Sequence, residues 1–276
     1  MHALAAARKP SMFAFTMAQA TRTGVRLHHV EAGAGDPPIV FVHGWCCDLS
    51  YLAPQFDHFK SRHRVMAMDL RGCGASDRTE GGYDIPTLAD DVARLCRELG
   101  LANAVIAGHS LGGMIGVEMA ARHPSLVGAV VAVDPGPLAI LPESRATFEA
   151  LIANMQGPDG EAVRREFVSG MFVPADDPER KRRIVDAMCS APIEVAIPYL
   201  RGVIEWNGAG ALSLCTAPLL VVSRDPGVDG SNDPRRLLAL KPDIQFGVTV
   251  GAGHFHQLEV PEQVNAMIAR FLDTLA

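Results

Sequence analysis

Ala104-Val105-Ile106-Ala107-Gly108-His109-Ser110-Leu111-Gly112 is the stretch on which the reading of this chain turns. Its first four residues are apolar without polar alternation, which predicts a strand buried on both faces. Residues 111–123 carry a helical pattern that stops just before Pro124. A serine therefore stands on the turn between strand and helix. Glycines two residues before and after it leave room where side chains would collide. Such a turn holds the serine in strained geometry and projects its hydroxyl at a helix N-terminus, where main-chain N–H groups favour developing negative charge. Ser110 is the candidate nucleophile. The alternative is a glycine-rich turn that only packs a helix on a strand.

Working outward, short apolar runs alternate with helical patterns. Strands are expected at residues 25–31, 39–42, 64–68, 129–133, 219–223 and 244–250. Leu88, Val92, Leu95 and Leu99 form one helical stripe, opened by Pro86 and closed by Gly100. A last helix carries Val264, Met267, Ile268, Phe271, Leu272 and Leu275. This alternation predicts an α/β fold, with a mostly parallel sheet covered by helices on both faces. Between residues 135 and 217 the strand signal disappears. Helical patterns at 148–155, 163–172, 181–188 and 193–206 replace it, as expected of a helical lid. The expected organisation is an N-terminal extension (1–23), a core (24–134 and 218–276) and a helical cap (135–217).

The chain has 276 residues, 48% hydrophobic and 20% charged, a globular composition rather than a disordered or fibrous one. Its net charge of −6, with no basic stripe, argues against nucleic acid as a partner. No run of 18 apolar residues is present, so no membrane partner is expected. Six cysteines, none spaced Cys-x-x-Cys, read as reduced, mostly buried thiols in a cytoplasmic protein. Arg8 and Lys9 precede a short apolar stretch at 12–18, and Ala18-Gln19-Ala20 has the form of a cleavage site. Thr16 interrupts that stretch, and residues 1–20 are read as a loose extension rather than a secretion signal. A homodimer is allowed for.

Two further loops follow strands. His43-Gly44-Trp45 can aim the Trp45 N–H at the position of an oxyanion, with the Leu111 N–H as the second donor and the Trp45 ring walling the pocket. Gly251-Ala252-Gly253-His254-Phe255 delivers a histidine placed to take a serine's proton. His254 is preferred to His256 because it directly follows the glycines and the strand end. His109 is read as pointing into the top of the sheet, and His28, His29, His58, His63 and His123 as surface or packing residues. Cys46 and Cys47 are read as packing residues, since no basic partner is evident to lower a thiol pKa.

With these pieces in hand, residues 24–276 resemble the α/β-hydrolase superfamily, in its branch with a helical cap. The resemblance rests on His43-Gly44-Trp45, Asp69-Leu70-Arg71-Gly72-Cys73-Gly74-Ala75-Ser76-Asp77, residues 108–113 and residues 251–255. It implies structural roles for Arg71 and Ser76. It also implies a catalytic acid, usually placed after the strand before the histidine. Counting from Pro218, that position falls at Gly227, with Asp225 two residues early and Asp229 two late. Asp134, ending the strand after the nucleophile helix, offers the position used by haloalkane and fluoroacetate dehalogenases and by cofactor-free quinolone dioxygenases. Asp134, Asp225 and Asp229 therefore all stand as candidates, with Asp134 leading.

The expected function is that of a serine hydrolase acting on a small hydrophobic carboxylic ester or lactone through an acyl-enzyme. The apolar candidates for pocket lining are Phe148, Met155, Met171, Phe172, Ile197, Leu200 and Trp206. They favour a hydrophobic substrate over a charged one. A serine nucleophile argues against dehalogenation and epoxide hydrolysis. No metal cluster or dinucleotide fingerprint is present, so no cofactor is expected. Two rival functions remain, a cofactor-independent oxygenase using a His/Asp dyad and a non-hydrolytic ligand-binding receptor.

Overall fold

The computed structural model describes residues 24–224 and 232–275. Seven strands form one sheet among them: β1 (His29–Ala32), β2 (Ile39–Val42), β3 (Val65–Met68), β4 (Ala104–His109), β5 (Val127–Val133), β6 (Leu219–Arg224) and β7 (Gln245–Thr249). They lie in the order β1-β3-β2-β4-β5-β6-β7. Only β1 pairs antiparallel, with β3; the other neighbours are parallel. The fold is α/β with a mostly parallel sheet, as the alternation of patterns predicts.

The period of two along each strand feeds two cores. Ile39, Phe41, Val65, Ala67, Val105, Ala107, Val131 and Val133 face one side. There they meet α1 (Ala53–Phe59), through Phe56 and Phe59, and the C-terminal helix through Val264, Ile268 and Phe271. Val40, Val42, Met66, Met68, Ile106, Val130 and Ala132 face the other, against α2 (Ile85–Glu98) and α3 (Leu111–Arg122). Because both faces are covered, the strands read as unbroken apolar runs. The Asp84 side chain accepts from Thr87 N and, with Pro86 in the first turn, starts α2.

Five helices in succession separate β5 from β6: α4 (Pro142–Met155), α5 (Gly160–Ser169), α6 (Pro178–Cys189), α7 (Ile193–Glu205) and α8 (Gly208–Leu214). After β6 come α9 (Pro234–Leu240), β7, α10 (His256–Glu259) and α11 (Pro261–Asp273), the C-terminal helix. Short α1, α8, α9 and α10 give no stripe long enough to read by periodicity. In α8 two glycines also weaken helix propensity, and Asn207 caps it by accepting from Gly210 N. The first strand is shorter than expected, since Arg26 and His28 bond instead to the loop at Ser76 and Asp77. No single helix among the described residues is long and apolar enough to cross a membrane. The N-terminal extension (1–23), including the cleavage-like Ala18-Gln19-Ala20, and the acid candidates Asp225 and Asp229 lie outside the described residues.

Candidate active site

The parallel strands all deliver their C-terminal ends to one edge, the edge at which open α/β sheets bind ligands. His43 leaves β2 there, Asp69 leaves β3, Ser110 leaves β4, Asp134 leaves β5, and the His254 loop follows β7. Ser110 adopts φ 54° and ψ −115°, a conformation that costs an L-residue energy and persists only where the surroundings impose it. They do so from both sides. Ser110 N donates to Val133 O at 2.9 Å, and Ser110 O accepts from Gly113 N at 3.0 Å and Gly136 N at 3.1 Å. A Cβ on Gly108 would lie 2.1 Å from the Gly112 carbonyl, and one on Gly112 would lie 2.1 Å from Val42 O. Both glycines of the sequence motif are therefore required by close approach of backbone.

His254 is only partly exposed, and its Nδ1 lies 2.6 Å from Asp134 Oδ2. A carboxylate accepts only, so Nδ1 carries the proton and Nε2 is left with a lone pair. Asp134 has φ 38° and its N–H donates to Val222 O at 2.7 Å. Burial alone would raise its carboxyl pKa. The hydrogen bond from His254, with the Arg224 charge nearby, overcomes that and holds it below the usual carboxylate range. Arg224 Nε stands 3.2 Å from the same Asp134 oxygen. Of the three candidate acids, Asp134 is the one the described structure brings to His254.

The His254 loop is clamped by groups that no sequence motif announces. Glu259 accepts Gly253 N at 2.7 Å and Phe255 N at 3.2 Å, and burial raises its carboxyl pKa. Met171 O accepts His254 N at 2.8 Å, while Phe172 stacks on Phe255 with ring centroids 5.0 Å apart. Gly253 lets this segment approach, since a Cβ there would lie 2.7 Å from Met171 O. Below the loop, His109 Nε2 donates to His254 O at 2.8 Å, so His109 does turn inward from the elbow. Burial, with His254 adjacent, pushes its pKa well below the usual value, so the ring is neutral. His256 pairs with Thr249 Oγ1 at 2.7 Å, and burial lowers its pKa to about 4.

The His43-Gly44-Trp45 loop runs past the serine: a Cβ on Gly44 would sit 3.1 Å from Ser110 Cβ. His43 fixes it. Leu70 N donates to His43 Nε2 at 2.9 Å, which puts the ring proton on Nδ1, and Nδ1 donates to Gly44 O at 2.8 Å. Among the described residues, no protein acceptor takes the Trp45 or Leu111 N–H. The Trp45 ring does more than cover the sheet edge. Its Nε1 donates to Ala196 O of α7 at 2.9 Å, and it packs edge-to-face with Phe167 from α5, ring centroids 5.9 Å apart. The Asp69–Asp77 loop is built the same way. Arg71 grips Asp91 with two hydrogen bonds of 2.7 and 2.9 Å, and Tyr199 of α7 donates to Arg71 O.

One expectation changes, and the reading of the adjacent cysteines holds. Trp206 does not reach this edge, because its Nε1 donates to Glu118 Oε2 of α3 at 2.7 Å. A buried indole N–H needs an acceptor, and α3 supplies it. Cys46 and Cys47 are fully buried and their thiols are pushed well above the usual pKa by that burial, which makes them inert. Among the described residues, no three His, Cys, Asp or Glu side chains converge as metal ligands.

Comparison with known proteins extends the picture beyond geometry. A 2-(acetamidomethylene)succinate hydrolase from Mesorhizobium japonicum is 30% identical over 258 residues, which cover 90% of this chain and 92% of that protein. Among solved structures, an esterase from Thermogutta terrifontis, with malate bound, superimposes with a TM-score of 0.79 at 25% identity, covering 96% of this chain and 99% of that one. The enol-lactonase from Burkholderia xenovorans LB400 does so with a TM-score of 0.77 at 25% identity, covering 91% and 98%. The family model of the alpha/beta hydrolase fold matches residues 37–261, and with the elbow, the strand order and these relatives the chain belongs to the alpha/beta hydrolase fold family.

Proposed function

We propose that this hydrolase-family protein cleaves a small carboxylic ester or lactone at Ser110 through an acyl-enzyme. The observation that carries the reading is the Asp134–His254 pair at 2.6 Å, which leaves Nε2 as a base on the edge where Ser110 is held in its strained turn. His254 Nε2 takes the hydroxyl proton as Ser110 Oγ attacks the carbonyl carbon. The carbonyl oxygen, now negative, receives the Trp45 and Leu111 N–H groups. As the C–O bond to the leaving oxygen breaks, His254 returns the proton to that oxygen. Water then gives its proton to the same nitrogen and attacks the acyl carbon, the acid leaves, and the proton returns to Ser110. Asp134 keeps the imidazole in the right tautomer and stabilises the transient imidazolium. Helices α4–α8 act as the cap, with Met171 and Phe172 reaching the histidine loop. The named hydrolase, esterase and lactonase relatives support a carbonyl substrate of this class.

The test is a fluorophosphonate probe followed by a panel of small esters and lactones. Wild-type protein is expected to label at Ser110 and to turn over panel members. Ser110→Ala is expected to lose labelling and to fall at least about 1,000-fold in kcat. The same His–Asp pair would also serve a cofactor-free oxygenase with an accessory serine. Oxygen consumption on a quinolone-type substrate that survives Ser110→Ala, without ester turnover, decides for that reaction.

A further inference from the structure

Arg164, on α5, is 4% exposed, yet it has no carboxylate partner among the described residues. Its neighbour Arg165 has two, Glu161 and Asp186. An arginine carries five N–H donors in a rigid fork and keeps its charge at any physiological pH. Arg164 donates through Nη1 to Ala191 O at 2.7 Å and through Nη2 to Met188 O, and it lies beside the Cys189 thiol. Nε is buried without a partner. These carbonyls belong to the C-terminal end of α6 and the turn after it, so part of the charge is met by the helix dipole. Of the fork, the Nε–H is the donor left unmet. Buried charges are ordinarily paired, and an uncompensated one is costly enough that its retention asks for a reason.

The place of this charge supplies the reason. The guanidinium carbon lies 6.0 Å from the centre of the Trp45 ring. Trp45 follows Gly44, which runs against Ser110, and its ring rises from that loop to α5 and α7. The indole therefore lies between the loop beside Ser110 and the Arg164 guanidinium. We propose that Arg164 is a substrate-binding residue that receives a carboxylate at the far end of the ester or lactone, so that the substrate is a monoanion with an apolar middle. This rests on the ester or lactone reading of Ser110 and revises the expectation of an uncharged substrate. A carboxylate suits the fork, since it accepts Nε–H and an Nη–H side by side.

The experiment compares 4-nitrophenyl hydrogen glutarate, which carries a carboxylate, with uncharged 4-nitrophenyl butyrate. Wild-type protein is expected to prefer the charged ester in kcat/KM. Arg164→Gln is expected to lower that preference roughly 10- to 100-fold, the range a charge-assisted hydrogen-bond pair supports. Arg164→Lys, which keeps the charge without the fork, should recover part of it. Independently of turnover, millimolar glutarate should raise the melting temperature of wild-type protein and dimethyl glutarate should not. Stabilisation by glutarate, lost in Arg164→Gln, supports the carboxylate site even if no ester is turned over, in which case only the hydrolytic reading fails. Equal kcat/KM for both esters with no stabilisation of wild type by glutarate overturns the proposal, whether or not the variants fold. A drop in melting temperature in Arg164→Gln with the preference unmoved also overturns it and leaves Arg164 as the cap of α6.

Discussion

Asp134 carries the sharpest consequence at the scale of single residues. Its hydrogen bond to His254 Nδ1 fixes which ring nitrogen bears the proton, and an amide in its place can present an N–H to that nitrogen instead. Asp134→Asn is therefore expected to lower kcat on a small ester by roughly 1,000- to 10,000-fold with a much smaller change in KM, measured by steady-state kinetics. Near-normal turnover in that variant would remove Asp134 from the mechanism. Sequence spacing brought Asp134 into view without deciding for it, since a "Val-Asp-Pro" after a strand serves equally well as a loop stop. What the spacing lacks is the third dimension: β5 and β7 run parallel in one sheet with only β6 between them, so Asp134 and the His254 loop emerge at the same edge. Arg164 left no sequence signal at all. One arginine among helical repeats looks like any solvated charge until its burial is known.

At the scale of elements, the strands and the elbow were legible because period and turn chemistry are local. The histidine loop was legible only in its glycines. What holds it arrives from elsewhere: Glu259 on α10, whose two oxygens take the Gly253 and Phe255 N–H groups, and Met171 from the segment after α5. A glutamine at 259 offers one oxygen and an NH2 where two acceptors are needed. Glu259→Gln should slow fluorophosphonate labelling of Ser110 about tenfold while the protein still melts cooperatively. Labelling at the wild-type rate would mean that Met171 alone positions the loop.

For the whole molecule, acid is the natural stress. His256 is buried neutral, with its pKa lowered to about 4 from an ordinary 6.5. The unfolded chain takes up that proton below pH 6.5 and the folded protein does not until near pH 4. The unfolded state thus binds more protons in this window, and stability falls as pH falls. Across the window the single ring accounts for about 3 kcal/mol. The depressed Asp134 pKa has the same sign at lower pH, its contribution being lost as pH drops through the folded value. Urea midpoints measured from pH 7 to pH 4.5 should decline steadily, and His256→Asn should flatten the slope. A midpoint independent of pH over that range would contradict the buried neutral ring.

The Trp45 indole donates to Ala196 in α7, and Met171 O, between α5 and α6, receives His254 N. Both loops flanking Ser110 are thus fastened to the inserted helices as well as to the sheet. The insert is therefore no interchangeable cassette. A chimera that trades residues 135–217 for another family member's segment would have to reproduce an acceptor for an indole and a carbonyl for a histidine amide before its pocket mattered. Shuffling of the two halves of this protein should fail at those two seams first.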